Sequence, residues 1–308
     1  MSDSAAPITG PIGFVGPIGF VGLGNMGAPM CECLARAGHA LRLFDIDADR
    51  RLEVAQATGG TAVDSLAELP RGCQLVITML PDSPVVEAAV LGNADSPGLI
   101  SGLEPGAVVV DMSSSAPLRT VALGDKLAEH GIALVDAPVS GGVPRARTGK
   151  LAIMAGGDPA QVARVRPVLE AMGSLLEAGP LGAGHAAKAL NNFVSAAGLA
   201  AACEAVNIAK RFGIEGQRMT DILNASTGRN NSTENKLAQY ILNHDYGSGF
   251  ALALMAKDLG TASDLAAELG LDTPTLETSV KLWTQARDQL PADADHTEIA
   301  RLSEPKEG

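Results

Sequence analysis

The feature that most restricts the fold of this chain is a glycine-rich hexapeptide directly after a short apolar run. The run is Ile18–Val21, and the hexapeptide has the pattern Gly-x-Gly-x-x-Gly, formed by Gly22, Leu23, Gly24, Asn25, Met26 and Gly27. Glycines at these positions permit a tight turn, a close approach of a pyrophosphate to the backbone, and close packing of the next helix on the strand. The first turn of that helix offers N–H groups and a positive dipole end to phosphate. The spacing therefore predicts a strand–turn–helix unit that binds a dinucleotide.

A downstream carboxylate supports this interpretation and bears on which dinucleotide is bound. A second apolar run, Leu41–Phe44, ends at Asp45, which lies 23 residues after Gly22. The acidic residue that binds the adenosine ribose is expected at an offset of about 20 residues. A carboxylate there accepts a hydrogen bond from the ribose 2′-hydroxyl and repels a 2′-phosphate. Arg50 and Arg51 would instead attract a 2′-phosphate. Asp45 therefore favours NAD, and the two arginines leave NADP open as the alternative cofactor.

Short apolar runs alternate with amphipathic segments from residue 18 to about residue 178. This alternation is typical of a doubly wound α/β fold of the Rossmann type, with a parallel sheet. The expected strands are Ile18–Val21, Leu41–Phe44, Leu75–Leu80, Ala107–Asp111, Ala133–Asp136 and Leu151–Ala155.

The segment from Gly184 to Arg211 has a different composition. It is rich in alanine, contains no proline and ends before Gly213, which predicts one long helix. Helical spacing of apolar residues continues to about residue 290. We therefore expect a lead-in over residues 1–16, a dinucleotide-binding domain over 17–181 and an all-helical domain over 182–308, joined by the long helix.

The expected lead-in contains an exact duplication. The sequence Pro-Ile-Gly-Phe-Val-Gly occupies residues 11–16 and again residues 17–22, and only the second copy continues into the glycine loop. The first copy ends against Pro17, which cannot donate to a central parallel ladder. We expect residues 1–16 to be disordered and to have no catalytic role.

Composition excludes several classes of partner. The chain has 35 acidic and 23 basic residues and a net charge of −12, and clustered basic residues are absent. Binding to nucleic acid or to an anionic membrane needs such clusters, so neither is expected. The four cysteines lack metal-ligand spacing and indicate a reducing compartment, where they are expected to be small buried side chains. Because no signal peptide and no apolar run of about 18 residues is visible, we expect a cytoplasmic protein. Because metal-ligand spacing is missing, we expect no bound metal.

Two further motifs carry side chains suited to acid–base chemistry. Ser140, Gly141 and Gly142 follow the expected strand Ala133–Asp136, and a turn of small residues can bind a carboxylate through backbone N–H groups and one hydroxyl. Lys188 and Asn192 share one face of the long helix, because they are four residues apart. Burial lowers the pKa of a lysine, which makes Lys188 a candidate general acid and base. An ordinary turn and a solvent-directed lysine remain the alternatives.

Six segments together resemble the β-hydroxyacid dehydrogenase family, and within it 3-hydroxyisobutyrate dehydrogenase and tartronate semialdehyde reductase. The resemblance covers about residues 17 to 300. The segments, in chain order, are Gly22–Met30, Thr78–Pro81, Asp111–Ser113, Asp136–Gly142 with Gly149–Leu151, Gly182–Asn192 and Lys257–Leu259. Several motifs in one order are more specific than a single glycine loop.

The resemblance implies a role for each matching residue. Lys188 matches the family's catalytic lysine, Ser140–Gly142 the turn that holds the substrate carboxylate, and Asn192 a side chain that orients the substrate. It further implies a Rossmann domain followed by a helical domain, and a homodimer or homotetramer. The positions that match cofactor-binding residues outside the glycine loop are Leu80, Pro81, Ser113 and Lys257. The implied reaction is reversible hydride transfer between NAD(P) and a small β-hydroxyacid.

Several alternatives stay open at this point. His185, three residues before Lys188, is a rival general base because histidine titrates near neutrality. An imine reductase of related architecture and a dinucleotide-binding module without catalysis are the competing functions. Lys188 argues against the first, and Ser140, Lys188 and Asn192 together argue against the second. The sequence does not identify the hydroxyacid, although Met26, Arg145, Phe250 and the segment 226–231 with Arg229 could select it.

Overall fold

The computed structural model describes Phe14, residues 16–94 and residues 96–304. It contains two compact units, Met1–Lys188 and Ala189–Gly308. The division falls after Lys188, within the long helix. Most of the expected lead-in lies outside the described residues, but Phe14 of the first hexapeptide is buried, and the Arg164 guanidinium lies 4.3 Å from its ring centroid.

The first unit is built on one mixed sheet. In the described part of the chain this sheet has nine strands, and the order along its main path is β3-β2-β1-β4-β5-β6-β8-β7, with β9 paired to β8. The strands are β1 (Ile18–Val21), β2 (Leu41–Phe44), β3 (Thr61–Ala62), β4 (Leu75–Thr78), β5 (Val108–Asp111), β6 (Ala133–Asp136), β7 (Val139–Ser140), β8 (Leu151–Gly156) and β9 (Gly173–Gly179). The first six strands are parallel, which confirms the predicted doubly wound fold.

The sheet differs from the prediction at one edge. Strand β8 runs antiparallel to β6 and β7, so the sheet is mixed at this edge, although β9 pairs with β8 in parallel. The sequence did not predict β3, β7 and β9, since two of these have only two residues and β9 has five exposed residues. Strand β4 ends at Thr78, earlier than predicted, because the Leu80 N–H donates to the Ser113 hydroxyl instead of continuing the ladder.

Helices cover both faces of the sheet, and the central strands β1, β4 and β5 are buried along their full length. Such two-sided burial is characteristic of parallel sheets between helices. One core contains Phe20, Ile77 and Val110, and the other contains their chain neighbours on the opposite face. The helices of this unit are α1 (Gly27–Arg36), α2 (Ala48–Thr58), α3 (Ser83–Leu91), α4 (Pro117–Ala128), α5 (Gly142–Arg147) and α6 (Pro159–Leu169), with a short 3-10 helix at Leu99–Ser101.

The long helix α7 (Ala183–Phe212) begins in the first unit and continues into the second. It has 30 residues, close to the predicted extent. The second unit packs around Trp283, which is fully buried. Its remaining helices are α8 (Gly216–Ala225), α9 (Asn231–Asn235), α10 (Leu252–Glu268) and α11 (Pro274–Gln289), with a π-helix at Leu237–Ile241 and a 3-10 helix at His296–Ser303.

By length and composition alone, α7 is apolar enough to cross a membrane, which the sequence analysis did not anticipate. Its most apolar 18-residue window has a mean hydropathy of 1.3, and 39% of that window is buried inside the protein. Core helices of soluble proteins meet the same criteria, so the helix is weak evidence for a membrane span.

All four cysteines are buried and free, as predicted. Burial raises the pKa of the Cys73 thiol to about 11 and that of the Cys203 thiol to about 12. The thiols are therefore protonated near neutral pH and are poor nucleophiles.

Candidate dinucleotide site and active site

The glycine loop connects β1 to α1 and leaves open space beside Gly24. Gly22 has a φ of +94°, and a Cβ on it would overlap the Met79 carbonyl oxygen. A Cβ on Gly27 would overlap the Gly22 carbonyl oxygen, so helix and turn pack closely. A Cβ on Gly24 would meet nothing within 4 Å. The loop thus combines two glycines required by packing with one whose open side can receive a pyrophosphate, which fits a dinucleotide.

Asp45 lies at the end of β2 and contacts the glycine loop. One of its carboxylate oxygens accepts a hydrogen bond from the Leu23 N–H at 2.6 Å, and the other accepts one from the Asp47 N–H at 3.0 Å. These bonds hold the carboxylate beside the loop, where a ribose hydroxyl could donate to it.

Both neighbouring arginines have partners within the protein. The Arg50 guanidinium donates to the Leu23 carbonyl oxygen at 2.8 Å and pairs with Glu53 at 2.7 Å. Arg51 lies over the Phe44 ring at 5.4 Å. Its guanidinium also donates to the Asp45 carbonyl oxygen and is 3.7 Å from the Asp64 carboxylate.

The predicted cofactor-lining residues Leu80, Pro81 and Ser113 follow the carboxyl ends of β4 and β5. The Leu80 N–H donates to the Ser113 hydroxyl at 2.8 Å, so the two loops are bonded to each other. The Leu80 side chain lies close to Gly22, since a Cβ on that glycine would be 3.1 Å from it. Pro81 is exposed next to it. The loops therefore border the glycine turn, at the sheet edge where open α/β folds bind ligands.

The structure brings Lys188 to the turn that contains Ser140. The Lys188 Nζ atom donates a hydrogen bond to the Val139 carbonyl oxygen at 3.0 Å, and Val139 directly precedes Ser140 in β7. Gly141 and Gly142 both have positive φ values, +125° and +67°, which residues other than glycine rarely adopt. The lysine ammonium and the serine turn are thus parts of one small region of the first unit.

Two predicted residues, Asn192 and Lys257, lie in the second unit. The Asn192 side-chain amide donates to the Asp258 carboxylate at 2.6 Å. Asp258 is buried on α10, and Lys257 is the preceding residue on the same helix. The carboxylate of Asp258 therefore orients the Asn192 amide.

The residues suggested for substrate selection differ in their surroundings. Arg229 is an exposed side chain whose guanidinium lies 3.6 Å from the Glu234 carboxylate. Asn230, in the same segment, caps α9 through a capping box, so residues 226–230 link α8 to α9 and Asn231 begins α9. Arg145 is exposed, and its aliphatic stem lies over Gly141, where a Cβ would be 2.5 Å from the arginine Cδ atom.

The structure places His185 away from solvent, as 1% of the residue is exposed. Its ring lies 3.7 Å from both the Asp111 and the Asp136 carboxylates, so it faces buried acidic groups rather than solvent. Asp111 and Asp136 begin two segments of the family resemblance, but the sequence analysis gave neither carboxylate a role. The available signal was their position at the carboxyl ends of two apolar runs, where polar residues are unusual inside a core.

Within residues 14, 16–94 and 96–304, no three His, Cys, Asp or Glu side chains are grouped so that they could hold a metal ion.

Comparison with protein families gives two adjacent matches. Residues 17–182 match the NAD binding domain of 6-phosphogluconate dehydrogenase. Residues 182–303 match the NAD-binding region of NADP-dependent 3-hydroxyisobutyrate dehydrogenase. Together the two matches extend over nearly all of the described chain.

Individual relatives match over the same length. An NAD-dependent L-serine dehydrogenase from Pseudomonas aeruginosa is 35% identical, over 93% of this chain and 97% of the relative. The solved structure of 3-hydroxyisobutyrate dehydrogenase from Mycobacterium tuberculosis with L-serine has a TM-score of 0.85 and 33% identity, and covers 93% of this chain and 98% of that one. An imine reductase from Myxococcus stipitatus has a TM-score of 0.63 at 15% identity, over 92% of this chain and 98% of that one, a likeness of fold alone.

Proposed function

This chain belongs to the 3-hydroxyisobutyrate dehydrogenase family of NAD(P)-dependent oxidoreductases, and we propose that it interconverts a small β-hydroxyacid and its carbonyl form with Lys188 as general acid and base. The observation that carries the proposal is the hydrogen bond between Lys188 Nζ and the carbonyl of Val139. It holds a proton-transferring group beside a turn of small residues suited to binding a carboxylate.

In the oxidation direction, the substrate hydroxyl loses its proton to the neutral Lys188 amine as the carbinol becomes a carbonyl. A nicotinamide cofactor, when held at the glycine loop and beside Leu80 and Ser113, would supply the hydride chemistry. In the reduction direction, the Lys188 ammonium returns the proton to the forming alkoxide. The chain's part is to orient the substrate and to move this proton, since the hydride chemistry belongs to the cofactor.

We assign the substrate carboxylate to the turn at residues 140–142 and the substrate hydroxyl to Asn192. The Ser140 hydroxyl and the backbone N–H groups of the two glycines are donors, which suits an anion. Asn192 is oriented by Asp258, so its amide has a defined direction. Holding a small substrate in a fixed orientation can remove several kcal/mol from the barrier, or roughly two or more orders of magnitude in rate.

NAD is the cofactor that the ribose site favours. Asp45 presents a carboxylate held by two backbone N–H groups, and a 2′-phosphate would be repelled by it. Arg50 and Arg51 are already engaged with Glu53 and Asp64, which reduces their value as phosphate ligands. Lys257 on α10 is assigned to the cofactor as well, on the family resemblance.

We test the function by following NADH and NADPH formation from a panel of small 3-hydroxyacids, with the wild type and with Lys188→Ala. We expect turnover of at least one hydroxyacid with NAD, and a fall in kcat of about 10²–10⁴-fold in the variant, the usual contribution of general acid–base catalysis. Thr220→Val, which removes an isolated buried hydrogen bond in α8, serves as the matched control and should retain kcat. Turnover by Lys188→Ala within a few-fold of wild type would contradict the assignment. Activity on cyclic imines alone would favour the imine reductase alternative.

We further propose that the chain forms a homodimer or homotetramer and acts on a small carboxylate in the cytoplasm. Several apolar side chains of α7 are exposed at helical spacing, which is typical of a helix that packs against a second copy. The most exposed of them are Val194 (68%), Ile208 (70%) and Phe212 (85%).

A further inference from the structure

The proposed reaction does not use a cluster of buried polar side chains at the carboxyl ends of β4, β5 and β6. The cluster consists of Thr78, Asp111, Asp136 and His185, none of which is more than 1% exposed. Burying two carboxylates is costly unless hydrogen bonds and nearby charges compensate them. Their partners therefore indicate what the cluster does.

The Asp136 carboxylate is bonded to the first turn of α7. One of its oxygens accepts a hydrogen bond from the Gly182 N–H, and the other accepts one from the His185 N–H, each at 2.8 Å. Two glycines enclose the same carboxylate. A Cβ on Gly156 would lie 2.5 Å from one oxygen, and a Cβ on Gly184 would lie 2.8 Å from the other. The start of α7 therefore approaches Asp136 so closely that neither glycine could carry a side chain in this arrangement.

The His185 ring connects this turn to the loops that border the cofactor site. Its Nδ1 atom lies 2.9 Å from the Thr120 hydroxyl oxygen, within hydrogen-bonding distance. Its Nε2 atom has no hydrogen-bond partner among the described residues and lies 3.7 Å from the Asp111 carboxylate.

Asp111 is bonded on the opposite side. It accepts hydrogen bonds from the hydroxyls of Thr78 and Ser115, at 2.8 Å and 2.7 Å, and from the Ser113 N–H at 3.0 Å. Ser113 in turn accepts from the Leu80 N–H. The cluster is thus continuous with the predicted cofactor-lining loops.

Lys188 lies three residues after His185 on the same helix, and its Nζ atom reaches the carbonyl three residues after Asp136. The position of the ammonium therefore depends on how the first turn of α7 is held. We propose that Asp136 and His185 are positioning residues: the buried Asp136–His185–Asp111 cluster fixes this turn so that Lys188 lies at the Ser140 turn. This inference rests on the proposed role of Lys188.

The test is the comparison of His185→Leu, His185→Gln and Thr220→Val in steady-state kinetics and thermal unfolding. His185→Leu removes both ring nitrogens and leaves the Asp111 and Asp136 carboxylates without a polar partner on the side of the ring. If the first turn of α7 then shifts, the Lys188 ammonium moves with it, and a displacement of about 1 Å can lower the rate roughly 10²-fold. We expect His185→Leu to lower kcat by about 10²-fold while the Kd for NADH, measured by its fluorescence, changes less than about twofold. Glutamine can place an amide near the Nε2 position, so His185→Gln should regain about tenfold in kcat.

Three results would overturn the proposal. One is a folded His185→Leu enzyme whose kcat is within about threefold of wild type. Another is a His185→Leu enzyme in which kcat, NADH affinity and Tm all fall together, because a purely structural role of His185 predicts that pattern. The third is a kcat for His185→Gln no higher than for His185→Leu. Thr220→Val shows how much kcat changes when only stability is lost.

A second variant covers the case in which His185→Leu does not fold. Thr120→Val removes the hydroxyl beside Nδ1 and keeps the shape of the side chain, so it should fold and lower kcat by a smaller factor of about 3–10-fold. An unchanged kcat in a folded Thr120→Val protein would then contradict the proposal. Failure of the proposed function itself is recognised separately, since Lys188→Ala would then retain turnover.

Discussion

The three glycines of the β1–α1 loop have different physical reasons to lack a side chain. At Gly22 and Gly27 a Cβ would overlap backbone atoms of the free protein, whereas at Gly24 it would meet nothing within 4 Å. The first two are therefore required by folding, and the third is explained by a ligand that approaches its open side.

This difference predicts a clean separation of binding from stability. Gly24→Ala should leave Tm within about 1–2 °C of wild type and raise the Kd for NADH by about 10–100-fold, or roughly 1.4–2.8 kcal/mol. The measurements are thermal unfolding without ligand and NADH fluorescence titration. Gly184→Ala is the matched control, because its Cβ would overlap the Met154 carbonyl oxygen and should cost about 1–3 kcal/mol of stability. Unchanged NADH affinity in Gly24→Ala would show that the pyrophosphate does not approach there.

At the scale of residues, the sequence predicted those site residues that lie close together along the chain or at a known spacing. The glycine loop, Asp45 and the Ser140 turn are continuous motifs or have a known offset, and the lysine was found by its motif. Asp111, Thr120 and His185 could not be grouped from the sequence. Their proximity arises only when the ends of β5 and β6 and the starts of α4 and α7 meet in three dimensions.

At the scale of elements, the C-terminal 3-10 helix depends on one carboxylate. Asp295 caps this helix through a capping box, and it also accepts hydrogen bonds from the Ser248 hydroxyl and from the N–H groups of Gly249 and Phe250. Burial raises its pKa, but hydrogen bonds from His296, Thr297 and Ser248 outweigh burial and hold the pKa well below its ordinary value. The carboxylate joins the loop at 248–250 to the helix.

This pKa direction predicts the acid dependence of stability. The unfolded carboxyl binds a proton more readily than the folded one, so stability from Asp295 is present above its ordinary pKa and is lost as pH falls through the folded value. Asp295→Asn should destabilise the protein by about 1–3 kcal/mol near pH 6, and by less at about pH 3.5. Urea unfolding of both proteins at the two pH values measures this. Glu298→Gln, a partner in the same capping box, is the control. A difference that grows on acidification would contradict the assignment.

The more deeply a strand is buried, the better its position could be predicted from the hydrophobic pattern of the sequence. The central strands are apolar on both faces and were located within a few residues. Strand β7 has two residues, and β9 has five exposed residues, so hydrophobic pattern alone cannot distinguish them from loops. The antiparallel direction of β8 depends on how the chain returns after α5, which local sequence does not encode.

At the scale of the whole molecule, the exposed apolar stripe of α7 predicts self-association. Size-exclusion chromatography with light scattering should give a mass of two or four chains of 31.4 kDa. Val194→Glu with Ile208→Glu should shift that mass toward a single chain, since buried charges without partners are strongly unfavourable in an interface. Leu176→Glu, an exposed apolar residue of β9, is the matched control and should leave the mass unchanged. A monomeric wild type would contradict the proposal.

The enclosure of Asp136 by Gly156 and Gly184 also limits how this protein can change over evolutionary time. A side chain at either glycine would overlap the carboxylate or nearby backbone, and a longer side chain at Asp136 would have no room. A change at any one of the three positions would therefore disturb the contact between Asp136 and the start of α7, and we expect the three residues to be retained together. We therefore expect substitutions at exposed positions such as Arg145 to change the substrate range, while the first turn of α7, which carries Lys188, keeps its position.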